Sequence, residues 1–182
     1  SVNMQKLKDL VSSRERLIKS LKSLQVPIKE LKRINAELGM QLEVLNMAAI
    51  RGIKQSIQEI EQSIDEVIMA DPRLKQIYGL STSIPGVGKV LTTKLLVYTH
   101  GFTRFENSRQ LACYCGVAPF EHRSGTSIYG RTGVSKFANS DLKHTLHLCA
   151  ISSIQYNPEL KKYYERKVAE GKSRMSVMNR FR

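Results

Sequence analysis

The first seventy residues repeat apolar side chains with a period near three and a half. Leu7, Leu10, Leu17, Leu21, Leu24, Ile28, Leu31, Leu38, Leu42 and Leu45 follow a 3-4 spacing, with Arg14 and Asn35 as the polar exceptions. That pattern is a coiled-coil seam. Ile53, Ile57, Ile60, Ile64 and Val67 continue it one residue out of register, with Lys54, Glu59, Glu61 and Glu66 on the wet face. One straight helix of this length would span about 105 Å at 1.5 Å per residue. Pro27 removes a backbone donor, however, and Gly39 loosens the segment after it. The pattern therefore predicts two helices with a break between Val26 and Met40. The seam suits either an antiparallel hairpin within one chain or a homo-oligomer pairing two or more chains, and both stay open at this level.

Beyond Asp71-Pro72 the periodicity shortens and turn residues multiply, from Pro85-Gly86-Val87-Gly88 through Gly101, Gly116, Gly125, Gly130 and Gly133 to Pro158 and Gly171. Short helices joined by loops follow. They are predicted over 73–80, 89–98, 108–115, 140–155, 158–169 and 173–181, with Ser108, Ser140 and Ser173 near N-caps and Pro158 at a first helical position. Strand signals are weak and allow at most a short hairpin around 126–129. The expected fold class is mainly α: a coiled-coil arm over 1–70, then a compact helical domain over 71–182. That domain divides into a helix-hairpin-helix-like element at 73–98, a serine-bearing loop at 116–136 and C-terminal helices at 140–182.

Charge adds direction to this picture. The chain has 182 residues, with 29 Lys plus Arg against 16 Asp plus Glu, a formal net charge of +13. Residues 1–70 carry eleven basic and nine acidic side chains, or +2; residues 71–182 carry eighteen and seven, or +11. A polyanionic partner is expected on the second part. No apolar run reaches the eighteen residues of a membrane-spanning helix, and residues 1–10 lack the layout of a secretory signal. Three cysteines are too few for a disulfide framework, so a reducing, cytoplasmic setting is the expectation, with no membrane partner.

Several segments could carry chemistry. Ile84-Pro85-Gly86-Val87-Gly88-Lys89 resembles a helix-hairpin-helix, in which Gly86 and Gly88 permit a tight turn with outward N–H groups. The following helix would add its positive end, reinforced by Lys89 and Lys94, to make a phosphate seat. The other reading is a structural corner that meets no phosphate. Phe102 and Phe105 flank Arg104, ahead of a helix carrying Arg109; they either stack on bases or anchor the loop to the core. Residues 116–136 combine hydroxyls at Ser124, Thr126, Ser127, Tyr129 and Ser135 with cations at Arg123, Arg131 and Lys136. Such a loop either contacts phosphate or supplies a serine for covalent phosphoryl transfer, its cations stabilising the transition-state charge. Cys113, Cys115, His144, His147 and Cys149 offer nitrogen and sulfur ligands, but the one-residue cysteine spacing favours buried thiols over a zinc site. The basic tail from Lys161 to Arg182 either tracks a phosphate backbone or forms a solvated helical face.

Taken together, Pro-Gly-Val-Gly, Phe-x-x-Phe, Leu-Ala-x-x-x-Gly-Val-Ala-Pro, Arg-Ser-Gly, Gly-Arg-Thr-Gly-Val-Ser-Lys and Leu-Lys, in that order, resemble the carboxy-terminal half of the Piv/MooV-like insertion-sequence transposases, the insertion sequence 110 family. The resemblance covers about residues 75–155, and the coiled coil matches that family's linker in position. It implies a DNA recombinase with a composite site: a RuvC-like amino-terminal domain holding divalent metal, expected to be Mg, and a serine from this part. It places that serine at Ser124, beside Arg123 and Gly125; Ser135 is the reserve candidate of our own reading. Gly130, Arg131, Gly133, Ser135 and Lys136 match the basic motif that follows, and Lys143 stands in the Leu-Lys pair. DNA and a structured guide RNA are the implied partners. No RuvC-like sheet precedes the coiled coil, so the metal is expected outside this chain and strand cleavage is not expected of it alone. The rival reading of the residues is a non-enzymatic helix-hairpin-helix nucleic-acid-binding module with coiled-coil oligomerisation; a further one is a coiled-coil interaction protein.

Overall fold

A computed structural model of the chain describes residues 2–124 and 128–181. It divides into two compact units, Ser1–Lys75 and Gln76–Arg182.

The first unit is a helical hairpin. Helix α1 runs over Val2–Ile34 and α2 over Ala36–Ala70. Pro27 lies inside α1, so the ring alone does not end the helix; the break falls at Asn35. The Asn35 backbone is extended and its side chain accepts the N–H of Leu38, capping α2. At this single-residue break the chain reverses, and the two helices pack side by side. The ion pairs Arg14–Glu61 and Lys32–Glu43, both at 2.6 Å, fix the antiparallel register, since each step forward on α1 is a step back on α2. The in-chain form of the seam is therefore present in the structure. Met4, Leu7, Val11 and Ile28 of α1 are buried, as are Ile64, Val67 and Ile68 of α2, each contributing about 1.5–3 kcal/mol of burial. Gly39 is a packing glycine: a Cβ there would lie 2.5 Å from the Lys32 side chain and 2.7 Å from its backbone. The seam is not buried throughout. Leu38 is 43% and Leu45 76% exposed near the turn, because their faces of α2 point away from α1.

Helix α3 follows over Pro72–Thr82. Asp71 starts it by accepting the N–H groups of Arg73 and Leu74. The Leu74 N–H, helped by Asn3 and Arg73, holds the Asp71 carboxyl below its ordinary value.

The second unit contains α4 (Lys89–Tyr98), α5 (Ser108–Tyr114), a hairpin of β1 (Phe120–Ser124) and β2 (Ile128–Gly133), α6 (Ser140–Tyr156), α7 (Pro158–Ala169) and α8 (Arg174–Met178). Its central core gathers Leu91 of α4, Cys115 after α5 and Leu142 of α6, with Leu95, Leu111, Val117 and Leu146 packed around them. Asparagines cap most of these helices: Asn107 for α5, Asn139 for α6 and Asn157 for α7, where Pro158 occupies the first turn. Ser173 caps α8. The antiparallel hairpin is longer than the sequence suggested. Phe120 pairs with Gly133, His122 with Gly130, Arg123 with Tyr129 and Ser124 with Ile128. Among the described residues no helix is long and apolar enough to cross a membrane.

Candidate nucleic-acid interface

Three segments of the second unit carry the residues singled out by sequence: the turn into α4, the loop into α5, and the strand hairpin with the turn after it.

The turn into α4 is closed against α6. Gly86 has φ +87°, and a Cβ there would lie 1.9 Å from Ser153 Oγ. Ser153 Oγ in turn donates to the Pro85 carbonyl at 2.9 Å. Only glycine fits this approach and this backbone. The N–H groups expected to face outward are otherwise engaged: that of Val87 donates to the Ile84 carbonyl, and that of Gly88 is directed at the Cys149 thiol. Lys89 is exposed at the start of α4.

Lys94 requires a correction. It was expected to reinforce a phosphate seat, but its side chain is only 10% exposed. Its Nζ lies 2.6 Å from both carboxylate oxygens of Asp141 and 3.4 Å from Thr145 Oγ1. Asp141 sits in the first turn of α6, where the positive helix end also favours its charge. An ammonium committed to this cluster joins α4 to α6 and is not available to a phosphate.

The loop into α5 separates two roles. Phe105 packs against Tyr114 with ring centroids 5.2 Å apart and planes tilted by 43°, and the Arg104 guanidinium lies 5.0 Å from the Tyr114 centroid and 5.7 Å from that of Phe105. Arg104 therefore helps anchor the loop, although it remains solvent-accessible. Phe102 is 41% exposed, in a left-handed stretch where His100, Gly101 and Phe102 have φ of 55°, 66° and 62°. Arg109 is exposed on α5.

The backbone places Ser124 at the distal end of β1, with Arg123 before it; Gly125, Thr126 and Ser127 lie outside the described residues. Two steps on β1, Phe120 to His122, face three on β2, Gly130 to Gly133, so Arg131 lies in a bulged stretch. Ser135 and Lys136 follow β2 at the opposite end of the hairpin. Four residue steps along β1 lead from Phe120, the partner of Gly133, to Ser124, a span of about 13 Å. Ser135 and Lys136 thus stand at the hairpin base. Ser135 Oγ accepts the Phe137 N–H at 3.2 Å. Gly116, with φ +66°, lies against Ala138 and the stem of Lys143.

Burial pushes the Cys115 thiol up to about 11 and raises that of Cys149; both belong to the core. Among the described residues no group of three or more His, Cys, Asp or Glu side chains could hold a metal ion. Asp141 is held by Lys94, and Glu106 accepts from Gln110. These carboxylates, each already engaged, do not fit a catalytic metal.

With this geometry in place, known proteins give it a context. Residues 79–165, from the end of α3 into α7, match the model of the Transposase IS116/IS110/IS902 family. Over that stretch, just under half of its length, the chain is similar to the members of that family. It is 30% identical over 130 residues to the pilin gene-inverting protein of Moraxella lacunata, covering 71% of this chain and 40% of the relative. The insertion element IS110 43.6 kDa protein of Streptomyces coelicolor is 30% identical over 133 residues, covering 73% of this chain and 32% of the relative. The insertion element IS900 42 kDa protein of Mycobacterium paratuberculosis is 34% identical over 91 residues, covering 50% and 23%. The chain thus spans two fifths or less of the length of these relatives. The match of the transposase family takes in both glycine turns, the strand hairpin and the Lys94–Asp141 pair.

Proposed function

We propose that this chain is the DNA-contacting, serine-bearing part of an insertion-sequence transposase that acts in DNA transposition and recombination. The match of residues 79–165 to the transposase family carries this reading. A hairpin with Ser124 at its distal end and Arg131 on the facing strand supports it.

In this reading Ser124 Oγ attacks a DNA phosphorus and gives up its proton to a base. A serine–phosphate ester forms, the bond to the departing deoxyribose oxygen breaks, and that oxygen takes a proton. Rejoining reverses these steps with a hydroxyl from another strand. Arg131 and Arg123 stabilise the charge that develops on the phosphate oxygens. Ser124 is favoured over Ser135, whose Oγ already supports the turn at the hairpin base. The divalent metal of the family belongs to a domain other than the residues described, and a structured RNA is a second partner for the basic surface. The first unit pairs with further copies through the apolar residues left uncovered near its turn, Ile34 at 85%, Val44 at 65% and Leu45 at 76% exposure.

The deciding experiment uses a protein that joins this chain to its amino-terminal domain. Ser124→Ala is expected to abolish recombination while DNA binding stays close to wild type; retained recombination would overturn the serine assignment. For this chain alone, anisotropy titrations with a DNA duplex and with a structured RNA across a salt series are expected to show affinity falling steeply with salt. Absence of binding at low salt would overturn the nucleic-acid reading.

A further inference from the structure

Phe137 is 97% exposed, the most exposed large apolar side chain among the described residues. It adds nothing to either core, yet the turn that carries it is firmly built. The Ala138 N–H donates to the Ser135 carbonyl at 3.3 Å, and the Phe137 N–H to Ser135 Oγ. On the far side, the Asn139 N–H donates to the Tyr114 carbonyl at 2.7 Å, Asn139 Nδ2 donates to Tyr114 Oη, and Asn139 Oδ1 caps α6. Ala138 closes against Gly116, where a Cβ would come within 2.6 Å of the Ala138 methyl. A ring on such a turn is held out in water by the fold around it.

Its neighbours indicate what it meets. Lys136, the preceding residue, is exposed. Phe120 and Val134, at the hairpin base, are 47% and 40% exposed. An aromatic face beside a cation, in a region carrying +11, suits a nucleobase and its phosphate: the ring stacks and the ammonium neutralises. Inside an undisturbed duplex both faces of each base are already covered, so the base must be unpaired or its step opened, as by the apolar wedges of DNA-bending proteins. The turn follows the hairpin base, itself about 13 Å of strand from Ser124, which makes this a contact separate from the reacting phosphate.

We propose that Phe137 is a base-stacking residue that, with Lys136, engages an unpaired or unstacked nucleobase of DNA. This rests on the DNA reading above and adds the conformation of the DNA that is bound.

The test titrates this chain into a DNA duplex carrying one unpaired 2-aminopurine, following anisotropy for binding and 2-aminopurine emission for stacking. Wild type is expected to bind and quench the emission. Phe137→Ala is expected to bind about fivefold or more weakly and to lose the quench; Phe137→Trp should restore both, and Phe137→Leu should not restore the quench. The side chain is outside both cores, so these variants should keep the helical circular dichroism of wild type. Binding with unchanged emission, or Phe137→Ala behaving as wild type, overturns the stacking role while leaving the DNA reading standing. A quench seen only with the corresponding RNA overturns the assignment to DNA. No DNA binding by any variant removes the underlying reading itself.

Discussion

Lys94 and Asp141 form a chelated ion pair, one ammonium 2.6 Å from both oxygens of one carboxylate, across the contact between α4 and α6. The two partners are unequally buried, the Lys94 side chain at 10% exposure and Asp141 at 41%. Removing the carboxylate strands a buried charge; removing the ammonium leaves a carboxylate that water and the α6 N-terminus still solvate. Asp141→Asn is expected to cost about 2 kcal/mol and Lys94→Met less than about 1 kcal/mol. Urea unfolding of the two variants measures this, and equal losses would contradict it.

Gly86 gives a second asymmetry. Gly86→Ala should destabilise by about 2 kcal/mol, because the methyl meets Ser153 Oγ and the left-handed backbone disfavours any side chain. Adding Ser153→Gly should recover only part of that loss, since it removes the Oγ and Cβ contacts but leaves the Ser153 Cα 2.9 Å from the methyl and the left-handed backbone unchanged. Full recovery in thermal melts would mean that neither the remaining contact nor φ carries a cost.

In the first unit, Arg14 and Glu61 face each other with side chains 18% and 35% exposed. Arg14→Glu and Glu61→Arg should each lower the melting temperature. The double exchange should regain most of what the two lose, whereas additive losses would show that the pair makes no specific contact.

Cys115 supplies a prediction in pH. Burial holds its thiol protonated, with the folded value near 11 against an ordinary 9.0. The associated stability is fully present below about pH 9 and is lost as pH rises from there through about 11. At mildly alkaline pH, alkylation of Cys115 by iodoacetamide should be slow in the native protein and fast in urea. Prompt native labelling would show that the core around Leu91 and Leu142 opens readily.

The helices were largely legible because their information is local. The predicted segments 89–98 and 158–169 coincide with α4 and α7. Ser108 and Ser140 lie near the caps as expected, each the first residue of its helix, and the residues before them, Asn107 and Asn139, accept the first N–H groups of α5 and α6. A serine and a preceding asparagine are both good caps, and only the backbone turn chooses between them. The polar exceptions in the coiled-coil pattern acquired reasons that lie elsewhere in the chain: Arg14 meets Glu61, and Asn35 makes the turn. Lys94 was misassigned for the same kind of reason. Its partner lies 47 residues away, and no local pattern tells a lysine aimed at solvent from one aimed at a distant carboxylate. The length of the strand hairpin was missed because residues 120–133 are rich in glycine and polar side chains, which weakens the alternation that marks a strand.

The single-residue turn at Asn35 has a topological result. The Asp71 carboxylate accepts a hydrogen bond from the Asn3 side chain, so a path of nearly seventy residues begins and ends in one place. An excursion of this kind can change its reach without changing its footing. Excising one heptad from α1 and the facing heptad from α2 would withdraw the tip by about 10 Å while Asn3 and Asp71 kept their contact, making the reach of the arm a dimension that can vary independently of the site where it is rooted.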